Sequence, residues 1–580
     1  MTVESLITQH IDTWTSAVKT KSTSGRGSSK KLELYGVKKL RELILELAVR
    51  GKLVPQDPSD EPASVLLERI AAEKAQLVKE KKIKKPKKLA DISEEEKPFS
   101  LPNGWAWIRL NEYGEWGSGS TPKRSNSEYY GGSIPWFKSG ELKADYISVS
   151  EETITDLALA ETSVRYNNVG DVLVAMYGAT IGKTAILSVR ATTNQAVCAC
   201  TPFIGLSNTY LLLLLKAYKS RLIGMGAGGA QPNISREKII NTVIALPSEN
   251  EQHRIVAKVD ELMALCDQLE QQTEASIEAH QLLVSTLLNT LTKSADADEL
   301  MENWARISDH FDTLFTTEES IDQLKQTILQ LAVMGKLVPQ DPNDEPASVL
   351  LERIAEEKAQ LIKEKKIKKQ KALPPIADNE KPFDLPNGWE WCRLGGFWQD
   401  SFYGPRFGKE EYVDDGGYPT IRTTDMTLDG VIKLNSPPKV LVSDEKLELY
   451  GLRRGDLLIT RSGSIGTMAL FELDIPAIPS AYIIRVRLSE YVDPKFILTL
   501  FMSPLGQAHL GLNTTAVGVP NVNATKMAQF FFPLPSLSEQ EKIVSKVAEI
   551  FGICDLLKSR VTDLKSTQLQ LTDAIVEQAV

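Results

Sequence analysis

The sequence predicts a mixed α+β chain. Two α/β globules are separated by long α-helices that form an antiparallel coiled coil, and the halves are related by an internal pseudo-two-fold repeat. Three observations predict it. Residues 40–110 return at 324–394 with a constant offset of 284. Between Leu47 and Lys85, 35 of 39 positions are identical, the exceptions being Arg50/Met334, Ser59/Asn343, Ala72/Glu356 and Val78/Ile362. So long a period means two domain-sized halves, not a solenoid. Each copy then runs into short β-rich segments punctuated by Gly, Asn and Pro. Each of those stretches ends in Leu-Pro-Ser and a helix with an apolar seam of 3.5-residue period, the pattern of a coiled coil.

These signals divide the chain into an N-terminal helical region 1–100, a first globule 101–247, a central helical region 248–384, a second globule 385–535 and a C-terminal helix 536–580. The central region holds a long helix, 248–292, and the repeat, 300–384. Ile7–Thr13 resembles Ile307–Thr313 at an offset of 300, so the first copy carries an insertion around AVKTKSTSGRGSSKK, read as a flexible loop. Leu40, Leu43, Ile44, Leu47 and Ala48 share one helical face, closed by Gly51. VPQDPSDEP breaks the chain, and Pro62 suits the first turn of a second helix running through Val65, Leu66, Ile70, Leu77 and Ile83. That helix leads into lysine-rich residues 79–88, matched at 363–371, either a solvated helix end or a phosphate-contacting arm.

In the first globule GDVLVAMYG, KTAILSV and TNQAVCACTPF read as strands, and TYLLLLLKAYKSRLI as one amphipathic helix. The second globule keeps landmarks: Gly170-Asp171 against Gly455-Asp456, Gly178 against Gly463, Ile181-Gly182 against Ile465-Gly466, Pro232-Asn233 against Pro520-Asn521. A shared scaffold with diverged surfaces is expected. Ser248-x-x-Glu251 and Ser536-x-x-Glu539 are capping boxes that start the long helices. The seams are Ile255, Val259, Leu262, Cys266, Leu269 and Ile543, Val547, Ile550, Cys554, Leu557, each the other's natural partner.

A net charge of −9 over 580 residues argues against a protein that wraps nucleic acid by bulk electrostatics. It leaves room for a reader of base edges. The longest apolar run, near Leu211–Leu215, is too short to span a bilayer, and MTVESLITQHIDTW lacks the pattern of a secretory signal. Five scattered cysteines make no disulfide framework, which fits a reducing cytoplasm. Cys198-Ala-Cys200 has no completing His or Cys pair, and alternation along a buried strand explains it.

No catalytic, dinucleotide or metal-ligand constellation is found. Gly178-Ala-Thr-Ile-Gly182-Lys183-Thr184 imitates a phosphate-binding loop but has only three residues between its glycines. Polar side chains at turns remain: Lys123, Arg124, Tyr177, Lys183, Asn194 and Gln195 in the first globule, and Arg406, Lys409, Arg422, Thr424, Arg461 and Ser462 in the second. Arg and Lys match guanine edges, Asn and Gln match adenine edges, and these are the side chains direct readout needs.

The whole pattern resembles the specificity subunit of type I restriction–modification systems. ELAVRGKLVPQDPSDEPASVLLERI, LPNGW, GGSIPW and QPNIS carry the resemblance. It implies a non-catalytic subunit with two target-recognition domains, each reading one half of a split, asymmetric double-stranded DNA target. The helices then set the gap and bind two methylation subunits, which use S-adenosylmethionine on adenine. Motor–nuclease subunits use ATP and Mg, and this chain binds no cofactor or metal. Two alternatives stay open: a coiled-coil scaffold that reads no sequence, and an NTP-binding enzyme built on Gly178–Thr184.

Overall fold

The computed structural model describes residues 3–22, 30–81, 83, 89–226, 232–461, 467–511 and 523–580. They fall into two units, Met1–Ser276 with Leu564–Val580, and Ile277–Asp563.

In the first unit the apolar face of the arm forms helix Tyr35–Val49, with Leu40, Leu43, Ile44 and Ala48 buried. The insertion before it is not simply a loop. Lys19–Ser22 and Lys30–Glu33 pair as antiparallel strands, and residues 23–29 between them lie outside the described residues. The next helix is Ala63–Lys79, and Pro62 sits at its N-cap with ψ 149°, one position earlier than expected. A proline's fixed φ suits either place, and the extended ψ puts it outside the first turn. Most of the lysine-rich stretch, residues 82 and 84–88, is outside the described residues.

The first globule is built on a five-stranded sheet. Its order is Gly114–Ser118, Val197–Pro202, Val172–Ala175, Thr184–Leu187, Tyr146–Ile147. A three-stranded sheet, Thr192–Thr193, Tyr130–Phe137, Glu152–Ile154, stands beside it. Cys198 and Cys200 are buried on the strand Val197–Pro202, second in the five-stranded order, and desolvation pushes the Cys198 thiol up to about 12. The expected single helix is two, Asn208–Ala217 and Lys219–Gly226, broken at Tyr218.

The second globule repeats this plan. Trp398–Tyr403, Ile483–Leu488, Leu457–Thr460 and Met468–Leu470 form one sheet. The parallel pair Tyr418–Ile421 and Ile478–Pro479 matches Tyr130–Phe137 and Thr192–Thr193. Its core differs chemically. Arg485 is buried against Asp400 and stacked 4.0 Å from the Phe402 ring, while Arg487 holds buried Asp456 at 2.7 Å and 2.8 Å.

The long helices are Glu249–Lys293 and Leu537–Ala579. Residues to Ser276 of the first belong to the first unit, and residues to Asp563 of the second to the second unit. Ile255, Val259, Leu262 and Cys266 are buried in the first unit, and Leu269 is half-buried. Arg41 on the arm helix reaches Asp267 at 2.7 Å. In the second unit Ile543, Val547 and Cys554 share a core with Leu324, Ile328 and Leu331 of arm helix Glu318–Val333, and with Val284, Leu288 and Leu291. Ile550 and Leu557 pack against that core half-buried, and Lys558 pairs with Asp322 at 2.8 Å. The arm helix is thus a seam partner that the periodicity did not reveal.

Candidate nucleic-acid interface

In the first globule Val197–Pro202 runs antiparallel to both Gly114–Ser118 and Val172–Ala175. The ends of the two outer strands therefore meet the start of the middle one at a single end of the sheet. Backbone bonds knit the loops there: Gly119 N to Val197 O 2.9 Å, Ser120 N to Thr193 O 3.0 Å, Met176 N to Ala196 O 2.8 Å and Asn194 N to Phe137 O 3.0 Å. The hairpin loop closes on Ala175 through its N–H to Lys183 O at 2.8 Å. All six candidates of this globule, Lys123, Arg124, Tyr177, Lys183, Asn194 and Gln195, sit on loops at this edge.

The second globule makes the same edge. Gly404 N donates to Ile483 O at 3.0 Å, Arg461 N to Tyr482 O at 3.0 Å and Ser480 N to Ile421 O at 2.9 Å. Arg406, Lys409, Arg422, Thr424 and Arg461 follow these strand ends. Ser462, with the landmarks Gly463, Ile465, Gly466, Pro520 and Asn521, lies outside the described residues. The two edges share a glycine for one reason. A Cβ on Gly119 would stand 2.2 Å from Thr193 O, and one on Gly404 2.4 Å from Pro479 O, so only glycine lets the loop cross so close.

The candidates differ in what already holds them. Arg124 pairs with Glu152 and lies 4.6 Å from the Tyr130 ring and 4.9 Å from the Trp136 ring. Arg124, and then Lys138, hold the Glu152 carboxyl down at about 2. Tyr130 OH donates to Pro122 O at 2.6 Å and Trp136 Nε1 to Ser120 O at 3.1 Å, which pins loop 119–124. Asn194 Oδ1 accepts from Ala196 N, and Gln195 Oε1 from the Thr121 hydroxyl. Arg422 grips buried Asp425 with Nε at 3.0 Å and Nη2 at 2.7 Å, and also donates to Asn435 O. It is an anchor of its own loop, with its side chain only half-buried. Arg461 lies over Tyr403 at 4.6 Å. Tyr177 and Thr424 are exposed, Lys183 is half-buried, and no described residue holds the side-chain ends of exposed Lys123, Arg406 and Lys409.

Lys138 was missed. Its N–H donates to Glu141 Oε2 at 2.6 Å just as that of Arg422 donates to Asp425 Oδ2 at 2.8 Å, and the two residues end equivalent strands. The repeat offset of 284 links them in the sequence and could have found it. Asn233 was also passed over as a reader; it is exposed at this edge and bridges Tyr177.

Gly178–Thr184 is not a nucleotide site. It joins two antiparallel strands, and Thr184 starts a strand where a phosphate-binding loop needs a helix. Its N–H groups are spent internally: Gly182 N on Ala175 O at 3.0 Å, Lys183 N on Thr180 O at 3.0 Å, Ile181 N on Gly178 O at 3.2 Å. These three are not turned out to cradle a phosphate. Among the described residues no cluster of His, Cys, Asp and Glu could hold a metal, and no helix is long and apolar enough to cross a membrane.

The model of the type I restriction modification DNA specificity domain matches residues 102–279 and again 386–565. The chain is 44% identical over 611 residues to the type I restriction enzyme EcoAI specificity subunit of Escherichia coli, covering 100% of both. It is 44% identical over 609 residues to the EcoEI specificity subunit of Escherichia coli, again with 100% of both covered. The HsdS subunit from Thermoanaerobacter tengcongensis is 18% identical with a TM-score of 0.43, covering 83% of this chain and 98% of that one. Two matched domains, each presenting an equivalent edge, and full-length relatives of one kind lead to one conclusion: the chain belongs to the family of type I restriction–modification specificity subunits.

Proposed function

We propose that each globule reads one half of a split, asymmetric DNA target through its loop edge. The observation that carries this is the pair of edges. The same backbone bonds build both, yet one presents Lys123, Tyr177, Asn194 and Gln195 and the other Arg406, Lys409, Thr424 and Arg461. An equal scaffold with unequal side chains is what two different half-sites require. Residues 101–247 carry a net charge of +2 and 385–535 of −2, so affinity for DNA alone is modest.

The long helices set the unread gap and carry two methylation subunits. Those subunits supply S-adenosylmethionine chemistry on adenine, and motor–nuclease subunits supply ATP- and Mg-dependent translocation and cutting. This chain holds no cofactor and does no chemistry, and reading the host's DNA puts it in the cytoplasm. The test is methylome sequencing of a host carrying this chain and its methylation partner. The expected result is adenine methylation at two dissimilar half-sites a fixed distance apart. Methylation without any preferred site would mark a scaffold that reads no sequence, and methyl transfer by this chain alone would end the reading.

A further inference from the structure

The capping boxes expected at the two long helices are only half made. Glu251 N donates to Ser248 Oγ at 3.1 Å, which makes one half of the box. Its carboxylate turns elsewhere. Oε2 accepts from the indole Nε1 of Trp105 at 2.9 Å and Oε1 from Gln56 Nε2 at 3.2 Å. Glu251 is 3% exposed, so this is a buried carboxylate tied to two tertiary donors. Three segments meet on it: the arm loop through Gln56, the chain entering the globule through Trp105, and the first turn of the long helix.

The second unit builds the same junction independently. Glu539 N donates to Ser536 Oγ at 3.1 Å, Trp389 Nε1 to Glu539 Oε2 at 2.9 Å and Gln340 Nε2 to Glu539 Oε1 at 3.2 Å. Glu539 is 4% exposed. The next residue reinforces each junction: Gln252 accepts from Ser207 N at 2.9 Å, and Gln540 from Asp493 N at 2.9 Å. The globules between these junctions have diverged at their edges and even in their core charges, whereas the junction repeats distance for distance. What the two halves keep in common is the direction in which a globule leaves its helix.

Resting on the reading of two half-sites across an unread gap, we propose that Glu251 and Glu539 are positioning residues that set the gap length the protein accepts. B-form DNA turns once in about 10 base pairs, so one added base pair rotates a half-site by roughly 35° and moves it about 3.4 Å. A protein rejects that change only if each recognition edge is held stiffly on its spacer. A buried carboxylate held by two directed N–H donors supplies such stiffness. Its helix-cap role alone would not need Trp105.

The experiment uses the full-length chain assembled with its methylation subunits. Methylation is measured on duplexes with both half-sites fixed and the gap lengthened or shortened by one and two base pairs. The unaltered chain is expected to accept one gap. Glu251→Ala is expected to lower the ratio of correct-gap to neighbouring-gap methylation roughly tenfold, with base preference inside each half-site unchanged. Glu251→Gln keeps one acceptor for the indole and falls between. Trp105→Phe keeps an aromatic ring but removes the N–H together with part of the indole, gives the same loss of gap discrimination, and carries the test if Glu251→Ala does not fold. Variants that lose thermal stability but keep the single sharp gap overturn the proposal, leaving the junction merely structural. An unaltered chain without any preferred gap overturns instead the two-half-site reading on which the proposal rests.

Discussion

Arg406 and Arg422 look alike in the sequence, each an arginine at a turn of the second globule, yet they are held differently. The Arg422 guanidinium neutralises Asp425, whose side chain is 2% exposed. Arg422→Ala leaves that carboxylate buried without it, which costs roughly 1–3 kcal/mol, read as a lower denaturation midpoint with base preference intact. Arg406 is exposed and unheld, so Arg406→Ala is expected to relax one half-site by roughly 1–3 kcal/mol of discrimination while the other half stays sharp, measured by binding to single-base variants of the target. Equal loss on all sequences would instead mark a phosphate contact. Glu152 adds a pH dependence. Arg124 and Lys138 depress its folded-state pKa to about 2 from the usual 4.5, so it contributes stability above the usual value that is lost as pH falls toward about 2. Thermal melts across that window should show acid destabilisation in the unaltered protein that Glu152→Gln lacks.

At the scale of elements, the second seam is covered by an arm helix. Leu324 and Ile328 pack in the core that buries Ile543, Val547 and Cys554. Leu324→Ala is expected to cost roughly 2–5 kcal/mol by urea denaturation, the range for a cavity in a packed core. Leu564, on the same long helix but 62% exposed, should tolerate the same change within about 0.5 kcal/mol. The heptad pattern showed the face that is buried at Ile255, Val259, Leu262 and Cys266 and at Ile543, Val547 and Cys554. It did not show what buries it, because a period describes one helix and a partner is a property of two. Likewise Ser248-x-x-Glu251 predicted the helix start correctly, whereas the carboxylate's destination, Trp105, is 146 residues earlier.

At the scale of the whole molecule the duplication extends to the helix ends. In the second unit Val284, Leu288 and Leu291 of the first long helix are buried, and Lys336 Nζ donates to Ser294 O at 2.7 Å. In the first unit Thr572 and Ile575 of the second long helix are buried, and Lys52 Nζ donates to Val580 O at 2.6 Å. A fragment ending near Thr292 lacks Leu564–Val580 and exposes the surface they cover, but its own helix end carries the matching residues. Two copies exchanging those ends form a two-fold dimer, and its DNA target would be palindromic. Sedimentation of the fragment should show the dimer, and methylation mapping with its partner an inverted repeat of the first half-site. A folded monomer would show that the halves are not interchangeable.

The sequence by itself determined the two halves, the buried positions Ile255 to Cys266 and Ile543 to Cys554 of the long helices, the buried Cys198–Cys200 strand and the loops that gather at one edge of each globule. These follow from periods of 284, 3.5 and 2 and from turn residues, all visible within or between stretches of one chain. Only the tertiary structure decided that Arg422 is an anchor and Arg406 free, that Gly178–Thr184 is a hairpin turn whose Ile181, Gly182 and Lys183 N–H groups bond within it, that the insertion's ends pair as strands, and that Glu251 and Glu539 bind tryptophans. The physical reason is common to all four. Each depends on which donor meets which acceptor once strands are in register and helices are packed, and a pattern along the chain specifies the face of an element but not its neighbour across space.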